Sequence, residues 1–217
     1  MVLKIWSDVI SGPCRTILFI LKKLKLEYEI VDVQIIKDTR TEEFKKINPA
    51  QVVPVVEVDG EKLYESASIA RYLLDVNEGD EALLPRSDLL ARAKVDAILD
   101  WVNTTGRPQL INAAFVIKLN PTIGKPEATE EEVKLHTANA HMTFKTIDET
   151  VKEKGGFLAG DHMTIADVQA YNMCGVGNGI LQIDTSEYEG YEKWFKAMGE
   201  DEVLAELDEG MKKRLEG

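Results

Sequence analysis

Cysteine, histidine and positive charge are all in short supply along this chain of 217 residues. Its two cysteines, Cys14 and Cys174, lie far apart with no CxxC spacing. That excludes a disulfide framework or a cysteine-built zinc site and suits a reducing compartment. The three histidines, His136, His141 and His162, add no metal-ligand pattern. His136 and His141 are five apart, so they do not share a helix face as zinc-binding histidines four apart do. All three read as surface or structural residues, and no metal is expected. Apolar runs fall short of the ~18 residues that span a bilayer. The opening "MVLKIWSDV" has neither the separate apolar core nor the cleavage site of a signal peptide. A cytoplasmic protein is therefore expected.

Lysine and arginine number 26 against 38 aspartates and glutamates, a net charge of −12. Residues 1–77 hold 11 basic and 12 acidic side chains, so almost all of the excess sits in residues 78–217. Such an acidic surface repels phosphate backbones and anionic lipid, which makes nucleic acid and membranes poor partners. The near-neutral first part tolerates an anionic small ligand. With 44% hydrophobic and 29% charged residues the composition is that of a soluble globular protein. The charge asymmetry suggests two units.

What is present is a change of pattern near residue 78. "VLKIW" alternates as a strand does. From Pro13 to Leu26 apolar residues recur at helical spacing, with the proline suited to a first helical turn. "YEIVDVQI" is rich in β-branched residues and predicts a second strand. "TEEFKKI" is a short helix with acids first and lysines last, as the helix dipole favours, and Asn48-Pro49 breaks it. Asp59-Gly60 joins two strand-like runs in a hairpin. A helix follows from Ser66 to Leu74. The expected order over residues 1–77 is βαβ-α-ββα. Residues 78–87 read as a polar linker. Residues 88–217 predict helices alone, at about 88–119, 127–154, 163–182, 188–198 and 201–214. Within them, Thr164 and Asp167 form a Thr-x-x-Asp helix start with a folding role.

Three local features point to chemistry. Ser11 stands just before the helix that begins near Pro13, where it is either a helix-start residue or a reacting group. Val53-Pro54 interrupts an apolar, strand-like run. A bend there, with a cis bond as one cause, frees the Val53 amide and carbonyl to pair with a bound peptide; a proline at a strand's first residue is the plainer reading. Glu65-Ser66 opens a helix. Ser66 is an ordinary N-cap on one reading; on the other, helix-start N–H groups and a hydroxyl receive a carboxylate while Glu65 takes an ammonium. Together the three describe a receptor for a short zwitterionic peptide bearing a thiol.

The stretches "SGPCR", "NPAQVVPVVEVDG", "LYESASIARYL", "ARAKVDAILDWVNTT" and "FLAGDHMTIADV", in that order, resemble the cytosolic glutathione S-transferases, and among them the theta class. The resemblance implies a glutathione transferase fold, with an α/β thioredoxin-like N-terminal domain (1–77) that binds glutathione and an all-α C-terminal domain (88–217) that contributes the electrophile site. It implies an enzyme that activates the glutathione thiol for attack on small hydrophobic electrophiles, in detoxification, and usually a homodimer joined through the "ARAKVDAILDWVNTT" helix. Ser11 matches the serine that hydrogen-bonds the glutathione sulfur. Glutathione itself would be held by Val53, Pro54, Glu65 and Ser66. Where theta relatives surround the glycine carboxylate with basic or imidazole side chains, this chain has Thr39 and Val52, with Arg40 and Gln51 next door to substitute. Arg107 matches an arginine near the active site; it and Arg15, in the first helical turn, either add positive field or are solvated surface arginines, the latter reading weighing more for Arg15. Ile10, Phe115 and the last helix line the electrophile pocket, which the short C-terminal tail leaves open. Two other readings stay open: a non-catalytic scaffold of the same fold, and a glutathione-dependent peroxidase or thiol reductase working through Cys14. Cys14 follows the proline rather than preceding it, and reads as a small buried residue.

Overall fold

Four short strands and the helices between them account for the first part of the chain in the computed structural model, which describes residues 2–78 and 80–216. Gly79, part of the expected linker, lies outside them. Strand β1 (Leu3–Ser7) pairs in parallel with β2 (Glu29–Asp32) and antiparallel with β3 (Val55–Val58). β3 in turn pairs antiparallel with β4 (Glu61–Leu63), giving the order β2-β1-β3-β4. Parallel strands need a crossover, and α1 (Gly12–Lys23) supplies it. Asp59 and Gly60 both take positive φ, 49° and 93°, as the tight Asp-Gly hairpin requires.

Strand alternation divides the core. Trp6 and Val55 sit opposite each other and pack with Val33 and with Phe44 of α2 (Glu42–Ile47). Their neighbours Ile5 and Val56 point to the other face. There α1 and α3 (Ser66–Val76) lie in mutual contact, burying Ile17, Phe19, Ile20 and Leu21 with Ile69, Leu73 and Leu74. The expected helix to Leu26 stops at Lys23, because Lys25 turns left-handed (φ 52°) and the Leu26 N–H folds back to the Leu21 carbonyl at 3.0 Å. The expected strand 28–35 is paired only over Glu29–Asp32, as an edge strand whose chain then leaves for α2.

The contacts divide the chain into one unit of residues up to Glu81 together with those from Asp201 on, and a second unit, Ala82–Glu200. The last helix, α9 (Glu202–Glu216), thus groups with the sheet. Lys22 and Lys23 at the end of α1 hold it through Glu206 at 3.0 Å and Asp201 at 2.7 Å.

The second unit is helical throughout: α4 (Leu89–Trp101), α5 (Arg107–Ala114), α6 (Glu130–Lys154), α7 (Ile165–Leu181) and α8 (Glu189–Gly199). The expected helix 88–119 is interrupted. Wide π-helical turns at Val102–Gly106 and Phe115–Leu119 follow α4 and α5 in an otherwise helical run. Helix α7 is buried without a break from Ile165 to Cys174, which marks it as the centre of this unit. Asp167 near its start is fully buried and accepts four hydrogen bonds. The Leu158 N–H (2.8 Å) and Trp194 Nε1 (3.0 Å) reach Oδ1; the Thr164 N–H (2.9 Å) and Oγ1 (2.7 Å) reach Oδ2. Asp148 of α6 plays a similar part for α8, its Oδ1 accepting from the Gly190 N–H at 2.6 Å and the Tyr191 N–H at 3.2 Å.

Helices α5 and α7 approach closely at Gly177. A Cβ built there would fall 2.4 Å from Cγ of Leu110, a fully buried side chain. Gly177→Ala is therefore expected to cost about 1–3 kcal/mol by overpacking. Chemical denaturation checks this, and a variant as stable as the native chain would mean that the two helices can part freely.

Candidate functional site

All four strands bring loops to the same end of the sheet. Ser7 at the end of β1 lies beside Asp32 at the end of β2; Val55 at the start of β3 pairs with Trp6; Leu63 at the end of β4 pairs with Val56. The β1–α1 turn, the β2–α2 loop, the approach to β3 and the β4–α3 connection therefore converge. They carry Ile10 and Ser11, Arg40, Gln51 with Val53 and Pro54, and Glu65 with Ser66. Eight of the residues singled out in the sequence share this end. The carboxyl ends of parallel strands, here β1 and β2, are where open α/β sheets bind ligands. Arg107 and Phe115 belong to the second unit: Arg107 is exposed as the first residue of α5, and half-buried Phe115 opens the second π-helical turn.

Ser11 is the N-cap of α1, and both sequence readings of it meet in one geometry. Its Oγ accepts from the Cys14 N–H at 3.4 Å, and its own N–H donates to the Asp8 carbonyl at 2.9 Å. A hydroxyl that accepts from a helix N–H still has its proton to give, and the helix start biases the space before it toward negative charge. The side chain is half-buried, so an incoming atom can reach it.

The Val53-Pro54 bond is cis. The β3 ladder begins only at Val55, and among the described residues the Val53 amide and carbonyl make no hydrogen bond. The approach to it is firmly held. Buried Asn48 donates through Nδ2 to the Val52 carbonyl at 2.8 Å and accepts from the Ala50 N–H at 3.0 Å. Gln51 takes a left-handed φ of 56° and donates through Nε2 to the Thr39 carbonyl at 2.9 Å, tying this stretch to the β2–α2 loop. Thr39 is buried, its Oγ1 accepting from the Ile36 N–H, whereas Arg40 beside it is exposed.

Glu65, not Ser66, occupies the N-cap position of α3, which corrects the plainer reading of Ser66. Glu65 has φ 64° and ψ 112°, a conformation an L-residue holds at a cost of about 1–3 kcal/mol. No side chain caps α3, whereas Ser11, Thr41, Asp88 and Thr129 each cap the start of their own helix. The first N–H groups of α3 and the hydroxyl of mostly buried Ser66 are left to an outside acceptor. Glu65, just before them in the chain, is exposed.

Two features of the first helical turn are at odds with, or absent from, the sequence reading. Arg15 is fully buried, not solvated, and its Nη1 donates to the Val9 carbonyl at 3.4 Å and to the Met211 sulfur. Asp8 was not singled out, yet it is 3% exposed and organises the β1–α1 turn: Oδ1 accepts from the Ile10 N–H at 3.2 Å and Oδ2 from the Ile35 N–H at 3.1 Å. A local motif gives neither away. The one signal is the acid- and base-rich C-terminal helix, whose partners must lie elsewhere in the chain. Cys14 is fully buried, and burial pushes its thiol up. Among the described residues no group of His, Cys, Asp and Glu is placed to hold a metal ion, and no helix is long and apolar enough to cross a membrane.

Comparison with known proteins gives the following. Residues 1–75 match the family model of the glutathione S-transferase N-terminal domain, and residues 107–202 that of the C-terminal domain. The chain is 29% identical to glutathione S-transferase theta-1 of Rattus norvegicus over 171 residues, covering 78% of this chain and 71% of that one. It is 32% identical to glutathione S-transferase T1 of Arabidopsis thaliana over 174 residues, 77% of this chain and 69% of that one. A crystal structure of human glutathione transferase theta-2, complexed with glutathione and an unknown ligand, superposes with a TM-score of 0.85 at 25% identity. It covers 97% of this chain and 86% of that one.

Proposed function

The chain belongs to the glutathione S-transferase family and is theta-like within it, and from that premise we propose how its residues run the reaction. It is a glutathione transferase, built from a thioredoxin-like domain and a helical one. Ser11 donates a hydrogen bond from its hydroxyl to the glutathione sulfur and holds it as thiolate, the thiol proton passing to solvent. A free thiol ionises near 8.5, and the thiolate is the nucleophile. Lowering that value by about two units is worth about 2.7 kcal/mol, within the range of one charge-assisted hydrogen bond and a helix dipole. The thiolate then forms a carbon–sulfur bond to a small electrophile, displacing a leaving group or adding to an activated double bond. Ser11 neither attacks nor gives up its proton, so no general base is needed.

The rest of glutathione binds along the same end of the sheet. The Val53 amide and carbonyl, beside Pro54, pair with its backbone. The Ser66 hydroxyl and the open N–H groups of α3 receive one carboxylate, and Glu65 the adjacent ammonium. Arg40 supplies charge for the glycine carboxylate, and Gln51 fixes the loop that presents it. Ile10, in the same turn as Ser11, contributes to the electrophile side. The protein acts as a cytoplasmic homodimer in detoxification.

One observation carries this reading: a hydroxyl at a helix start shares one end of the sheet with an unpaired backbone at Val53 and an uncapped α3. The test is an ultraviolet pH titration of glutathione bound to the native protein. Thiolate absorbance appearing about two units below the free thiol is expected. Glutathione that binds but titrates as in water would leave a scaffold of the same fold. The thiol-reductase reading is disfavoured by the buried, raised Cys14 thiol, and conjugation that survives Cys14→Ala disposes of it.

A further inference from the structure

We propose that α9 is part of the thiol-activating apparatus, with Asp8, Arg15 and Arg214 as positioning residues that fix Ser11 from behind. The inference rests on the reading of Ser11 given above. Ser11 is held by the four-residue turn Asp8–Ser11, in which these groups bond the Ser11 N–H, the Ile10 N–H and the Val9 carbonyl. Asp8 closes the turn through its carbonyl, which accepts from the Ser11 N–H, and through its carboxylate, which accepts from the Ile10 N–H. The carbonyl of Val9, between them, accepts from Arg15 at 3.4 Å. Neither anchor is free-standing. The Arg214 guanidinium of α9 lies 3.8 Å from Asp8 Oδ1 and is itself oriented by Asp32, at 3.1 Å from Oδ2. Asp208 of α9 lies 4.0 Å from Arg15 Nε, and Met211, one helical turn on, accepts from Arg15 Nη1.

Backbone proximity supports the same link. Gly210 lies beside Val9, where a Cβ would make ordinary contact with the valine methyl at 3.5 Å. One face of α9, from Asp208 to Arg214, therefore meets the turn before Ser11 at a carboxylate, a guanidinium and a glycine. The charged groups facing Asp8 and Arg15 from α9 are Arg214 and Asp208; Asp32 faces Arg214 from β2. A buried arginine and a nearly buried aspartate bound to one short turn are more than α9 needs for attachment, since Lys22 and Lys23 already pin it to α1 through exposed ion pairs. A charge-assisted hydrogen bond to sulfur depends steeply on donor direction. A turn braced on both sides holds the Ser11 hydroxyl to one direction.

The test uses the full chain in six forms: native, Arg214→Ala, Arg214→Lys, Asp208→Asn, Ser11→Ala and the Arg214→Ala/Ser11→Ala double variant, each titrated with bound glutathione and melted. Arg214 is partly exposed, so Arg214→Ala is expected to keep the fold, which the melts check. The expected result is a rise of about half a unit to one unit in the bound-thiol pKa for Arg214→Ala, about three- to tenfold less thiolate at a pH below it. Arg214→Lys recovers part of this. The double variant should be no worse than Ser11→Ala alone, because Arg214 acts through Ser11. Asp208→Asn, weakening the Arg15 side, should shift the thiol in the same direction. An unchanged thiol in both Arg214→Ala and Asp208→Asn, or effects of Arg214→Ala and Ser11→Ala that simply add, overturns the inference and leaves Ser11 as activator. An unchanged thiol in Ser11→Ala overturns the underlying reading instead.

Discussion

Replacing Ser11 by alanine is expected to lower turnover at neutral pH by about 10- to 100-fold, with glutathione still bound. The estimate follows from the about 1.5–3 kcal/mol that a hydrogen bond to a charged group contributes, converted at about 1.4 kcal/mol per tenfold. The loss should shrink as pH rises, since above the free thiol's value glutathione ionises without help. Ser11 also caps α1 through the Cys14 N–H, so Ser11→Ala removes about 1 kcal/mol of stability as well. Ser11→Asp separates the two roles. Aspartate caps a helix about as well as serine but has no proton to donate. It should keep the native melting temperature and lose the activity as fully as alanine does. If Ser11→Asp retained turnover, capping rather than proton donation would be the residue's contribution.

The largest effect on stability is expected at Asp167. Its two carboxylate oxygens accept four hydrogen bonds from Leu158, Thr164 and Trp194 in a fully buried position. Burial pushes the carboxyl up, and the four donors only partly offset this. Asp167→Ala removes the acceptor and strands several buried donors, each at a cost of about 1–3 kcal/mol, so a total loss of about 3–5 kcal/mol is expected. For a chain of this size that is about 10 °C or more in Tm. Asp167→Asn fills the same space but turns one oxygen into a donor facing another donor, so it should recover only part of the loss. Thermal melts followed at Trp194 check both, because the indole N–H bonds to Asp167 directly. A loss under about 1 kcal/mol for Asp167→Ala would mean that water replaces the carboxylate without difficulty.

How much of this was legible beforehand depended on the range of the forces involved. Asp59-Gly60 turned where its φ preferences said it would, and the order βαβ-α-ββα followed from alternation and helical spacing. Thr164 and Asp167 were placed in a folding role from a four-residue pattern, and they bond as neighbours do. Arg15 misled because burial is not a local property. Its surroundings come from Asp208 and Met211, almost two hundred residues on, and nothing beside it in the chain hints at them. Asp8 escaped notice for the same reason. Glu65 was seen as an acid near a helix start, but its left-handed backbone is unreadable where no glycine marks it. The π-helical turns after Trp101 and Ala114 likewise carry no glycine–proline signature at their starts.

The grouping of α9 with the sheet has a consequence for the order in which the molecule can be made. The pair Lys22–Glu206 joins residues 184 apart, so the first unit is finished by a segment synthesised after the whole of the second. On a ribosome, residues 82–200 can collapse while the β1–α1 turn still waits for its brace. Maturation of the Ser11 turn then waits on synthesis of residues 202–216 rather than on the emergence of the sheet that carries it.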